Sequence, residues 1–357
     1  MNEPTRQLND LGQQLWLDHI SRPLLRSGTL QRYIAELSIT GLTSNPTIFG
    51  LALAGDAYDA SIRALDAKGM AIEELFFELA IEDVTQAADL FRPIFDASEG
   101  AEGWVSLEVS PLLAHNTART IQAASALHER AARPNLFIKI PGTAEGVSAV
   151  EEAIFDGVPV NVTLLFSTEH YLAAAHAYMR ALERRLAARL DLGVASVASL
   201  FVSRWDAGVK EEISPPFHNR LGVAIAMRTY RAYRELLASD RWRRLAAAGA
   251  RPQRLLWAST ATKDASAPDT LYVQSLAAPD TVITLPEMLL LAFADHGQVG
   301  AVMPADGGYA DAVLEEFRRE GVDDDALAQR LQREGVDSFA DSWHAMLSRI
   351  REKTAAR

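Results

Sequence analysis

The chain contains no cysteine, which excludes disulfides, thiolate nucleophiles and cysteine-ligated zinc or iron–sulfur centres. It has no run of about 20 apolar residues to cross a bilayer. The opening residues, Met1-Asn2-Glu3-Pro4-Thr5-Arg6-Gln7, lack the apolar core of a secretory leader. Positive charge is in deficit: 35 basic against 47 acidic residues give a net charge of −12, which argues against a general nucleic-acid or anionic-membrane surface. One or two local cations still suffice to hold a phosphate. The eight histidines show no His-x-x-x-His spacing and no Asp-x-Asp-x-Asp-Gly loop occurs, so no metal site is expected. Also missing are a Gly-x-Gly-x-x-Gly turn and a glycine-rich phosphate cradle, which leaves a nicotinamide or nucleotide enzyme without its fingerprint. Gly307-Gly308 and Asp323-Asp324-Asp325 read as a turn and a helix start. These absences imply a soluble, cytoplasmic protein with no nucleic-acid or membrane partner.

Lysine is scarce as well. Only Lys68, Lys139, Lys210, Lys263 and Lys353 occur, and arginine fills the other basic positions. Lys139 lies in Asn135-Leu136-Phe137-Ile138-Lys139-Ile140-Pro141-Gly142, an apolar run closed by a Pro-Gly stop. That pattern predicts a short buried strand, with Phe137 and Lys139 on one face and Leu136, Ile138 and Ile140 on the other. Burial disfavours an ammonium and so promotes the neutral, nucleophilic amine that condenses with carbonyls. Arginine cannot replace lysine in that role. The bland alternative is a strand-end lysine that snorkels to water.

Seven further strands are expected, at 15–20, 38–46, 104–111, 158–166, 195–202, 254–259 and 281–286. Helical spacing covers 57–95, 113–132, 144–155, 168–190 and 205–248, the last broken near Pro215-Pro216. From Glu287 onward the pattern is helical and ends in an acidic amphipathic stretch from about 323 to 350. Eight short strands alternating with helices predict a (β/α)8 TIM barrel, with a doubly wound open sheet as the alternative. No repeat or linker divides the chain, so residues 1–357 are expected to form one domain. Residues 287–357 would include a helical extension that packs across the barrel.

Each strand of a barrel has an inward and an outward phase. Ser106, Glu108 and Ser110 share a phase opposed to Val105, Leu107 and Val109. Asn161, Thr163 and Leu165 oppose Val160, Val162 and Leu164, and Val197, Ser199 and Phe201 oppose Ala198, Leu200 and Val202. The polar phases gather Asp18, Glu108, Lys139, Asn161, Thr163 and Ser199, with Asn45 at the end of the second strand. This set supplies an amine nucleophile, two carboxylates for proton transfer, and amide and hydroxyl groups to orient a polyol. The competing reading is a polar network that satisfies only itself. Arg204, past the sixth strand, and Lys263, past the seventh, are candidates for phosphate, since barrels often bind it at late strand ends.

Several motifs together resemble transaldolase. They are Trp16-Leu17-Asp18, Gly41-Leu42-Thr43-Ser44-Asn45-Pro46-Thr47-Ile48-Phe49, Phe137-Ile138-Lys139-Ile140-Pro141, Asn161-Val162-Thr163-Leu164-Leu165-Phe166-Ser167, Ser199-Leu200-Phe201-Val202-Ser203-Arg204 and Trp257-Ala258-Ser259-Thr260. The resemblance spans nearly the whole chain and looks closest to longer bacterial members reading Lys-Ile-Pro-Gly-Thr. It implies a cofactor-free enzyme of the non-oxidative pentose phosphate pathway. Such an enzyme moves a dihydroxyacetone unit from sedoheptulose 7-phosphate to glyceraldehyde 3-phosphate, giving erythrose 4-phosphate and fructose 6-phosphate. It further implies Lys139 as the Schiff-base lysine, Asp18 as the acid/base on the substrate hydroxyl, and Glu108 acting through water. Asn45, Asn161, Thr163 and Ser199 would orient the intermediate, Phe201 would line the pocket and Arg204 would bind phosphate. Many members carry a second phosphate arginine after the Ala-Ser block. Here the stretch reads Thr260-Ala261-Thr262-Lys263, which leaves Lys263 as the candidate.

Sugar-phosphate substrates and a monomer or homodimer are expected. Two rivals remain: a related aldolase that releases dihydroxyacetone to water, and a catalytically silent barrel serving as a scaffold.

Overall fold

The computed structural model describes residues 2–355. The eight apolar segments form strands β1 (Gln13–Asp18), β2 (Ile39–Thr43), β3 (Trp104–Glu108), β4 (Leu136–Pro141), β5 (Val160–Leu165), β6 (Ser196–Phe201), β7 (Arg254–Ala258) and β8 (Thr281–Leu285). They close into a barrel in sequence order, each strand parallel to its neighbours. With helices outside and side chains filling the interior, almost every strand residue is buried. The open-sheet alternative is thereby overturned: β1 pairs with β8 from Gln13–Thr281 to Leu17–Leu285.

Polar caps turn several strands into the helices that follow. The Asn45 side chain accepts from Ile48 N at the start of Pro46–Ala52, and Pro46 occupies the first turn where its missing N–H costs nothing. Thr143 and Ser167 cap Ala144–Phe155 and Thr168–Ala187 in the same way. The caps therefore fix where the chain leaves the mouth of the barrel.

Lower in the interior, aromatic rings form a floor. Phe137 stacks on Trp104 at 4.1 Å and 22°, and on Trp16 at 6.0 Å. Such pairs add about 0.5–1.5 kcal/mol each beyond area burial. Trp16 fits because β2 has no side chain at Gly41, where a Cβ would stand 2.6 Å from the indole nitrogen.

Three expectations require correction. The helical stretch at 57–95 is two helices, Asp59–Asp66 and Ile72–Ala97, separated by a turn in which Gly69 has φ 74°. The stretch at 205–248 is divided among Ser203–Val209, Leu221–Ala238 and Asp240–Ala247, with a short 3-10 turn at Pro215–Phe217. Strict alternation along β5 ends at Thr163. Leu164 adopts φ 58°, the register with β6 shifts, and Leu165 aligns with helix-facing Leu200 rather than continuing the polar phase.

The last helix, Asp324–Ala355, has 32 residues and so reaches about 48 Å. Asp324 at its start pairs with Arg228 at 2.9 Å and Arg318 at 3.1 Å. Along its length Arg330 donates to Gly208 O, Gln332 to Gly142 O and Leu164 O, and Arg349 to Gly50 O. Leu164 is the penultimate residue of β5, and the other acceptors lie past the C-terminal ends of β2, β4 and β6. The helix thus straps the C-terminal mouth, the end at which barrel enzymes build their sites.

Candidate active site

Strand register sets the centre of the site. Lys139 on β4 aligns with Glu108 on β3 and with Asn161 on β5, so three polar side chains stand abreast on the inner wall. Lys139 and Glu108 are each 5% exposed. Lys139 Nζ lies 3.3 Å from Glu108 Oε2 and donates to Ser44 O at 3.2 Å. Both Glu108 carboxylate oxygens are buried without a hydrogen-bond partner, so the contact with Lys139 is an ion pair only. Burial pushes the Glu108 carboxyl up to about 7, against the attraction of Lys139 and with added repulsion from Asp18. Asp18, the last residue of β1, is likewise raised by burial and partly restored by Lys139.

A relay flanks the lysine. Ser199 Oγ donates to Asn161 Oδ1 at 2.7 Å, and Asn161 Nδ2 donates to Ser106 Oγ at 3.1 Å. Asn161 therefore bridges β3, β5 and β6 around β4, its orientation set from both sides. Thr163 Oγ1 is buried and unpartnered.

Asp18, Asn45, Lys139, Thr163, Ser199, Phe201, Arg204 and Lys263 line one cavity of about 560 Å³ at the mouth. Glu108 and Asn161 stand in the wall behind it, in contact with Lys139 and Ser199 respectively. All ten expected site residues are thereby gathered in one place. Asn45 lends its side-chain oxygen to the helix cap, so its amide NH₂ is the group left for the cavity. Arg204 is partly buried, with its guanidinium 5.4 Å from the Phe201 ring and 6.0 Å from Phe339. Burial holds its pKa below the usual arginine value, with only Glu334 opposing. Lys263 is exposed at the rim.

Some lining residues were not foreseen. Thr43 aligns with Asp18 across β1 and β2, and the alternation Gly41-Leu42-Thr43 carried that signal. His19 and Glu287 stand 3.9 Å apart at the rim, and Tyr33 donates to Glu287 at 2.9 Å. Phe339 descends from the C-terminal helix, and no local pattern in the sequence places it there. A second cavity of about 300 Å³ at the opposite end, lined by Trp104, Arg251 and Arg254 among others, contains none of the expected residues.

A buried amine held against a carboxylate near neutral pKa, facing a second carboxylate and an open cation, can form and break imines and move protons beside them. The family model for transaldolase/fructose-6-phosphate aldolase matches residues 15–350. The chain belongs to the transaldolase/fructose-6-phosphate aldolase family. A transaldolase of Thermobifida fusca is 45% identical, with both chains covered in full. One of Parafrankia sp. is 45% identical over 99% of this chain and 98% of its own. A transaldolase 2 of Nostoc punctiforme is 39% identical over 87% of each. Among the described residues of this family member, no helix is long and apolar enough to cross a membrane.

Proposed function

We propose that the protein is a transaldolase that moves a dihydroxyacetone unit from sedoheptulose 7-phosphate to glyceraldehyde 3-phosphate, forming erythrose 4-phosphate and fructose 6-phosphate. The observation that carries this reading is the buried Lys139–Glu108 pair, 3.3 Å apart, in the wall of a cavity that also holds Asp18. Lys139 in its amine form attacks the ketose carbonyl, and the carbinolamine loses water to give an iminium. Asp18 takes the proton of the C4 hydroxyl as the C3–C4 bond breaks, and the iminium accepts the electron pair. The aldehyde leaves and an enamine remains. Its C3 attacks the acceptor aldehyde, Asp18 returns its proton to the new hydroxyl, and water releases the product. Glu108, held near 7, exchanges protons with the water that leaves and re-enters.

Asn45, Asn161, Thr163 and Ser199 orient the hydroxyls, Phe201 lines the pocket, and Arg204 with Lys263 receives the phosphate. The scheme needs no cofactor because the iminium is itself the electron sink. We place the enzyme in the cytoplasm, in the non-oxidative pentose phosphate pathway, as one barrel domain with a helical extension, in a monomer or homodimer.

Incubation with fructose 6-phosphate and erythrose 4-phosphate tests the transfer. Sedoheptulose 7-phosphate should appear together with equal glyceraldehyde 3-phosphate. Cleavage that yields only free dihydroxyacetone, whatever the acceptor concentration, would establish the aldolase instead.

A further inference from the structure

We infer that Phe339 is a selectivity-determining residue. Carried over the mouth by the C-terminal helix, it keeps solvent protons from the three-carbon intermediate, so that the unit passes to an aldehyde rather than escaping as free dihydroxyacetone. The inference rests on the Schiff-base reading above and assigns the product choice to one side chain.

Gln332, Gly335 and Phe339 are spaced by three and four residues and so share one face of the helix. Gln332 Nε2 donates to Gly142 O and Leu164 O, both at 3.0 Å, which ties this face to the ends of β4 and β5. At Gly335 a Cβ would stand 3.1 Å from Leu164 Cδ2 and 3.4 Å from Arg204 Nη1, so glycine sets how closely the helix lies. One turn on, the Phe339 ring is 5% exposed. Its centroid is 5.9 Å from Lys139 Nζ, 6.0 Å from the Arg204 guanidinium and 6.5 Å from the Phe201 ring. The ring thus reaches both ends of a bound sugar phosphate, the nucleophile and the phosphate cation. Glu108, to which the scheme above gives the proton exchange with water, stands in the wall beside Lys139, while the ring comes from the C-terminal helix. The cavity stays open past Leu51 and Met288, 70% and 79% exposed, where an acceptor enters.

The enamine left by cleavage has two fates. Its C3 electron pair attacks the acceptor aldehyde, making the new carbon–carbon bond while Asp18 protonates the new hydroxyl. Otherwise C3 takes a proton from solvent and becomes an iminium. Water then adds at C2, the carbinolamine expels the lysine nitrogen, and dihydroxyacetone departs. That branch consumes one water and changes no overall oxidation state. An apolar ring over the intermediate disfavours it by excluding water.

Phe339→Ala, Phe339→Leu and Gln332→Leu would be compared with wild type in D₂O containing fructose 6-phosphate and erythrose 4-phosphate. NMR reads monodeuterated dihydroxyacetone against sedoheptulose 7-phosphate, and borohydride trapping reads the Lys139 adduct. Phe339→Ala should raise the release-to-transfer ratio by about tenfold, equivalent to roughly 1.4 kcal/mol between the two barriers, with the adduct retained. Phe339→Leu should fall between that and wild type, and Gln332→Leu should shift the ratio in the same direction. If Phe339→Ala does not fold, the other two decide. A ratio within twofold of wild type in the folded variants, with the adduct intact, overturns the proposal while leaving the Schiff base standing. A wild type that forms no adduct removes the Schiff-base reading, and the proposal falls with it.

Discussion

Replacing Glu108 with glutamine keeps the side chain's shape and removes its titration. Burial raises this carboxyl from 4.5 to about 7 in the folded protein. The native state therefore holds the proton more tightly than the unfolded chain does. The resulting stabilisation is full below pH 4.5 and is lost as pH rises through about 7. At about 1.36 kcal/mol per tenfold change, that loss is roughly 3 kcal/mol. Below about 7 the native Glu108 carries no charge to pair with Lys139, and its attraction to Lys139 above that is already contained in the raised value, so the difference in slope between pH 4.5 and 7 isolates its titration. Urea denaturation of both proteins at half-unit steps from pH 4 to 8 measures it. Wild type should lose about 3 kcal/mol relative to Glu108→Gln across that window. Parallel curves would mean that Glu108 titrates near the ordinary carboxylate value, and would refute the desolvation argument. The turnover profile of wild type should also bend near pH 7, and the bend should vanish in the variant.

Gly41→Ala drives a methyl to within 2.6–2.7 Å of the Trp16 indole, itself held in the aromatic floor. It should cost about 1–3 kcal/mol in a denaturation experiment, and an unchanged midpoint would contradict the packing. Ser199→Ala strips a buried donor from Asn161 Oδ1, for an expected loss of about 1–3 kcal/mol with lowered kcat. Normal stability and turnover together would show that the relay is idle. Arg204→Ala should raise KM for phosphorylated substrates by roughly 10- to 100-fold, the effect of losing one charge-assisted hydrogen bond. Exposed Lys263→Ala should change it less than about fivefold. The reverse order in steady-state kinetics would reassign the phosphate site.

Much of this site was legible because barrel strands have no solvent face. A polar residue in such a strand points either at packed helices or into the barrel, so the alternation carrying Glu108, Asn161 and Ser199 was informative without any tertiary knowledge. Asp18, Lys139 and Asn45 were legible for the same reason, each lying near a strand end. What could not be read is set by long-range packing or local backbone. The left-handed Leu164 leaves no mark in an apolar run, yet it turns Leu165 to the other phase. The sequence placed the C-terminal helices across the barrel, but which residues of the last helix face the mouth depends on Gln332 finding carbonyls far away in sequence. Phe339 therefore read as an ordinary apolar helix position. Lys263 was visible as a base near a strand end, but its exposure at the rim was not.

The central claim is a covalent intermediate on Lys139. Mass spectrometry after borohydride reduction with fructose 6-phosphate and no acceptor tests it most directly. A dihydroxyacetone-sized adduct on the peptide carrying Lys139, absent in Lys139→Arg, is the expected result. An intact, folded protein that shows no adduct with fructose 6-phosphate or sedoheptulose 7-phosphate would contradict the mechanism and leave a silent barrel.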